Sequence, residues 1–127
     1  MKPKKNSKIF VQIASYRDPQ LIPTIKNMLE NAKNPQNITI GIARQFHPDD
    51  KFDDLSEYEN DDRFRILNIP YQEAEGVCWA RHLVQQLYKD EAYTLQIDSH
   101  MRFAPNWDEE MINMVKQLQK KGHKKPL

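Results

Sequence analysis

Asp98 and His100 stand two residues apart at the end of the run TLQI, residues 94–97 of a 127-residue chain. If that run is a strand, side chains i and i+2 of the extended segment point the same way. A carboxylate and an imidazole facing together can ligate one divalent cation. Two protein ligands are too few for a closed structural zinc site, which takes four. They suit an ion that completes its shell with water and phosphate oxygens, Mg²⁺ or Mn²⁺, and the imidazole favours Mn²⁺. The alternative is that Asp98 caps a turn and His100 packs against Met101 or Phe103.

Four apolar runs and three helical patterns must position this pair. KIFVQIAS, residues 8–15, has the apolar continuity of a strand buried on both faces. Asp18 and Pro19 then form an N-cap and first-turn pair. Leu21, Ile22, Ile25, Met28, Leu29 and Ala32 recur at helical spacing, and the helix should end near Asn34-Pro35. NITIGIA, residues 37–43, predicts a second strand, completing a β-α-β unit with a right-handed crossover. Residues 44–62 carry turn residues and acid without a period, and are expected to form a surface excursion. RFRILNI, residues 63–69, predicts a third strand stopped by Pro70. GVCWARHLVQQLYKDE follows as an amphipathic helix with Gly76 at its start, where glycine permits close approach of a ligand. AYTLQI is the fourth strand. Residues 107–119 open a last helix whose acidic first turn suits the helix dipole.

Strands alternating with helices predict an α/β layer with a largely parallel sheet, and ligands of such sheets sit at the carboxyl ends of strands. That rule selects SYRD after the first strand, residues 71–76 after the third, and DSH after the fourth.

The bulk numbers narrow the class. This length accommodates one domain: a basic tail at 1–7, the domain at 8–119 and a basic tail at 120–127. With 39% hydrophobic and 29% charged residues the chain reads as globular, and no apolar run approaches the ~20 residues of a membrane span. The start MKPKKNSK lacks a signal-peptide core, so a cytoplasmic protein is expected. The single cysteine, Cys78, cannot form an internal disulfide, and a buried structural role is expected for it. Eight of the 18 acidic residues lie between Asp49 and Asp62, and the net charge is +1. The basic tail KQLQKKGHKKPL has no interleaved aromatic residue, so no nucleic-acid partner is expected. His82 is expected on a helix surface, and neither His47 nor His123 has the spacing of a ligand.

The string from GVCWAR through LQIDSHMRF, with PNWDEEMI after it and KIFVQIASYRDPQLIPTI before it, resembles the GlcNAc-transferase-type glycosyltransferases. That family includes an enzyme modifying a hydroxyproline. The chain is also similar to polypeptide GalNAc-transferases, which carry Asp-x-His in place of the commoner Asp-x-Asp. The resemblance implies a GT-A fold, a Rossmann-like sheet with flanking helices. It also implies a UDP-sugar donor, UDP-GlcNAc by preference, and Mn²⁺ or Mg²⁺ bridging the diphosphate to Asp98 and His100.

Ser15, Tyr16, Arg17 and Asp18 would then lie where such folds hold uridine. Arg17 would meet phosphate or base, and Asp18 would accept from ribose or uracil, a role compatible with capping the helix. Gly76 and Arg81 would face the diphosphate, the alternative for Arg81 being a surface pair with Glu73 or Glu75. Ser99 belongs to the same donor segment. Trp107 would line the sugar site or form part of the core, and Trp79 would pack or wall the donor.

The half of a GT-A enzyme that supplies the acceptor site and a further ligand is expected to be missing, because the chain ends at KKGHKKPL soon after Asp98. The fold is therefore expected to be truncated after the metal motif. His123 is not assigned as the missing ligand, and the acceptor is unknown. Self-association through the face left by the missing half is expected. A non-catalytic nucleotide-sugar-binding or interaction module is the alternative to an active transferase. A phosphotransfer receiver would need an acidic pair after the first strand, which IASYRD does not supply.

Overall fold

The computed structural model describes residues 7–120, so most of both basic tails and His123 lie outside the described residues. Four strands form a single parallel sheet in the order β3-β2-β1-β4. They are β1 (Ile9–Tyr16), β2 (Ile38–Phe46), β3 (Phe64–Pro70) and β4 (Tyr93–Ile97). Helices α1 (Leu21–Asn31), α2 (Val77–Gln85) and α3 (Trp107–Lys120) cover the faces. The architecture is the α/β layer expected, compatible with a Rossmann-like sheet.

β1 lies in the middle, and side-chain alternation along it separates two cores. Ile9, Val11 and Ile13 face α1 and α3, joining Leu21, Ile25, Met28, Ile38, Ile40, Ile42, Leu55 and Trp107. Phe10 faces the other way and packs with Ala43, Ala80 and Val84 beneath α2. This smaller core depends on Gly41. A Cβ there would lie 2.6 Å from Cζ and 2.8 Å from Cε1 of Phe10, so only glycine lets the ring approach β2 this closely.

Several expectations need correction. Asp18 is not the residue that starts α1. The chain makes a tight turn in which Leu21 N–H donates to the Asp18 carbonyl, and the helix begins at Leu21, its end falling at Asn31 rather than Asn34. Arg17, at φ 49°, takes the left-handed conformation that turns the chain there.

The excursion after β2 is not confined to the surface. β2 itself runs to Phe46, and beyond it Asp53 and Leu55 are buried while Tyr58 stacks on Phe64 at 4.5 Å. Arg44 holds this loop through Asp53, with Nη2 3.2 Å from Oδ1.

α2 is shorter than its pattern, and Cys78 is exposed rather than buried. Ala80 and Val84, one turn apart, are its buried residues, and Trp79 packs half-buried against the core beneath them. At ~100° per residue, Cys78 lies about 200° round from Ala80, on the solvent side. The chain after α2 is tied back by a buried pair the sequence did not announce. Arg65 Nη2 lies 2.7 Å from Glu91 Oε2, and Arg65 Nη1 donates to the Leu87 carbonyl at 2.7 Å.

Among the described residues no helix is long and apolar enough to cross a membrane.

Candidate functional site

The carboxyl ends of all four strands meet along one edge, and the selected segments fall on it. β1 ends in SYRD, and alternation splits this motif. Ser15 lies on the α1 side, fully buried, its carbonyl accepting from Gln45 Nε2 at 3.1 Å. Its hydroxyl has no partner among the described residues and does not reach the open edge. Tyr16 lies on the α2 side and is exposed. It lines a cleft of about 270 Å³ together with Ala14, Gln45, Tyr71, Ala74, Gly76 and Val77.

Gly76 opens α2 at φ 99° and ψ 170°, a backbone region essentially confined to glycine. Beyond its own chain neighbours no atom lies within 4 Å of where its Cβ would stand, so backbone conformation, not crowding by protein, requires the glycine. Arg17 leans over the Tyr71 ring at 5.7 Å and is held by Asp50, Nε to Oδ2 at 2.7 Å and Nη2 to Oδ1 at 3.2 Å. Hydrogen bonding to Arg17 holds the Asp50 carboxyl below its usual range and raises the Arg17 guanidinium in turn. Tyr71 is backed on its other contact by His47 at 4.8 Å. His47 therefore contributes to the edge as an aromatic neighbour.

β4 keeps its alternation past its last residue. Ile97 and Ser99 are buried while Asp98 and His100 are exposed, the side chains of the latter two at 58% and 64%. Their common exposure is what the i, i+2 spacing predicts. Arg81 approaches Asp98, Nη2 to Oδ1 at 3.5 Å, a long contact between two half-exposed groups. Among the described residues Arg81 thus pairs with Asp98, not with Glu73 or Glu75.

Ser99 turns inward. Its hydroxyl donates to Asp18 Oδ2 at 2.6 Å, and His100 Nδ1 meets the same oxygen at 3.1 Å. Asp18 Oδ1 accepts the Gln20 N–H at 2.8 Å. Partial burial raises the Asp18 carboxyl, but Ser99, the Gln20 N–H and His100 together outweigh it and leave the group below its usual value. Asp18 and Ser99 are therefore engaged with each other rather than open to a ligand.

Trp107 is also withdrawn. It is 8% exposed, its Nε1 donates to the Met28 carbonyl at 2.8 Å and its ring packs on Phe103 at 4.8 Å. The core role is the one it takes.

A polar seam behind the edge fixes the loop that follows β4. Thr24, fully buried in α1, donates to the Ser99 carbonyl at 3.0 Å and accepts the Met101 N–H at 3.0 Å. Asn27 Oδ1 accepts the Phe103 N–H at 2.6 Å, and the Asn31 carbonyl accepts the Asn106 N–H at 2.6 Å. From the far side, Asp108 accepts the N–H groups of Lys33 and Asn34 at 2.8 and 2.9 Å. Sequence reading missed Thr24, Asn27 and Asn31, although their three- and four-residue spacing marks one stripe of α1.

The donor chemistry at the edge fits a cation of the Mg²⁺ or Mn²⁺ kind. Asp98 and His100 are both reachable, and among the described residues no group of three or more His, Cys, Asp or Glu side chains is placed to hold a metal. An ion taken by the two would have to draw the rest of its shell from water and ligand oxygens.

A search of curated proteins returned no match. The family model described as Glycosyltransferase (GlcNAc) matches residues 8–59 and 49–126, which includes every strand and helix of the structure. The chain belongs to the GlcNAc glycosyltransferase family.

Proposed function

We propose that the carboxyl edge of this sheet binds a UDP-sugar, UDP-GlcNAc by preference, through Mn²⁺ or Mg²⁺ held by Asp98 and His100, for transfer of the sugar to an acceptor on a GT-A-type scaffold. The observation that carries the reading is the joint exposure of Asp98 and His100 beside Arg81, on the same strand edge as a cleft of about 270 Å³ walled by Tyr16 and Tyr71. The uracil would occupy that cleft, where Tyr16 and Tyr71 offer aromatic surface and Gly76 leaves room. Arg17, at the rim over Tyr71, and Arg81, beside Asp98, would meet the diphosphate. With Asp98 engaged by a cation, Arg81 would be free of it to meet phosphate.

Transfer breaks the bond between the anomeric carbon and the diphosphate oxygen and forms one to an acceptor oxygen, with UDP leaving. A bound cation would supply neutralisation of the charge that UDP gains.

Titration calorimetry of UDP-GlcNAc into the protein, with Mn²⁺ and with EDTA, tests the reading. Binding that needs Mn²⁺ and is lost in Asp98→Asn is expected. Equal binding in EDTA, or in the variant, overturns it. A parallel assay for sugar transfer separates an active transferase from a module that only binds.

A further inference from the structure

The Asp18 carboxylate joins the turn after β1 to the candidate cation site after β4, 82 residues away from His100 in sequence. Its side chain is only 17% exposed, and three contacts engage it: Gln20 N–H on Oδ1, and Ser99 Oγ and His100 Nδ1 on Oδ2. An ionised carboxylate can only accept hydrogen bonds. The ring nitrogen facing it must therefore carry the proton, and the neutral His100 ring is fixed with Nδ1–H inward and the Nε2 lone pair outward. We infer that Asp18 is a positioning residue, which holds His100 in the Nδ1–H tautomer so that Nε2 is the nitrogen presented to a divalent cation.

The inference rests on the cation reading of Asp98 and His100 and assigns Asp18 a part in it. It differs from contact between Asp18 and the nucleotide, because both carboxylate oxygens are already engaged within the protein. Carboxylates behind a ligating imidazole commonly act this way, fixing ring orientation and raising ligand basicity. The local geometry adds a directional feature. Gln20 N–H is a backbone donor that cannot reverse, so Oδ1 must remain an acceptor. In Asp18→Asn the amide oxygen is consequently held at the Oδ1 position, and the NH₂ group falls where Oδ2 stood. That group donates to Nδ1, while the Ser99 hydroxyl can rotate to accept. The substitution preserves shape and inverts the tautomer, leaving Nε2 protonated and unable to ligate. Ser99→Ala removes the other contact on Oδ2 and leaves the tautomer as it is.

Long-range ¹H–¹⁵N correlation spectra of the metal-free protein at about pH 8.5, two units above the ordinary imidazole value, identify the tautomer directly, with His100→Ala assigning the signal. The expected result is Nδ1–H in the native chain and in Ser99→Ala, and Nε2–H in Asp18→Asn. Electron paramagnetic resonance of Mn²⁺ titrated into the same proteins should show about tenfold weaker uptake in Asp18→Asn than in the native chain. Nε2–H in the native protein overturns the inference without recourse to any variant. So does an Asp18→Asn protein that takes up Mn²⁺ as the native chain does. If the native chain shows Nδ1–H yet leaves the Mn²⁺ signal unreduced, the cation reading itself fails and the role given to Asp18 falls with it. Native uptake with no tautomer change in Asp18→Asn overturns the role of Asp18 alone.

Discussion

Arg17 donates through Nε and Nη2 to both oxygens of Asp50, at 2.7 and 3.2 Å, joining the end of β1 to the loop that follows β2. The guanidinium that lies over Tyr71 beside the cleft is thus already matched by a carboxylate. Asp50 stands where an anionic ligand of Arg17 would compete. Replacing Asp50 by Asn should raise UDP affinity about threefold at low salt, an effect that shrinks as ionic strength rises. Arg17→Ala should lower affinity instead, and calorimetry of the two variants checks the opposed signs.

Asp98→Asn and His100→Ala should each weaken Mn²⁺-dependent donor binding by at least about tenfold, equivalent to ~1.4 kcal/mol. Neither side chain is buried, so thermal denaturation of both should match the unsubstituted chain. Unchanged donor binding in both would remove the two residues from the site.

Gly76→Ala should destabilise the fold by about 1–3 kcal/mol, because φ 99° with ψ 170° is closed to a residue with a Cβ. Gly41→Ala should cost about 2 kcal/mol for a different reason, the displacement of the Phe10 ring. Urea unfolding measures both. A pair of structures would separate them: a moved Phe10 ring in the second variant, and an altered entry into α2 in the first.

Arg65 and Glu91 form a pair whose acid is 3% exposed. Removing one partner leaves an uncompensated buried charge, and Arg65→Ala should cost about 3 kcal/mol. Burial raises the Glu91 carboxyl, but Arg65 and the Lys89 N–H outweigh it and hold the group below its ordinary value of 4.5. A lowered value means the folded chain binds the proton less readily than the unfolded one. The pair's contribution is therefore complete above about pH 4.5 and is lost as pH falls through the lowered value. Glu91→Gln should flatten this acid limb in a stability-against-pH series.

Asp108→Ala should release the N–H groups of Lys33 and Asn34 from the carboxylate that accepts them and cost about 2 kcal/mol. Amide hydrogen exchange should quicken at those two positions, while exchange along β1 changes no more than the global loss requires.

The sheet was legible because periodicity is local. KIFVQIAS and NITIGIA carry apolar runs long enough to announce buried parallel strands, and the alternation through Asp98, Ser99 and His100 follows from the pleat. The joint exposure of Asp98 and His100 was legible for the same reason. Distant contacts were not. Asp18 reads as a helix cap from its neighbours, yet Ser99 and His100, more than eighty residues later, engage its carboxylate. Trp107 reads equally as a sugar wall or as core, and the Met28 carbonyl decides it. Cys78 and Val77 look like part of an apolar helix face, but α2 is short and both are exposed, Ala80 and Val84 being its buried residues. Leu55 and Asp53 sit in a stretch rich in acid and turns, and no local pattern shows that the loop folds back onto β2.

The strand order has a consequence for the chain while it is being made. Ile9 pairs on one side with Ile38 and on the other with Tyr93, so the second partner of β1 is translated 84 residues after the first residue of that strand. Parallel pairing across so long a separation is closed late and slowly. A nascent chain that has not yet released β4 has one edge of its central strand bare, and the partner that covers this edge is the strand that ends in Asp98. The vulnerable interval of folding and the assembly of the candidate cation site therefore end in the same event.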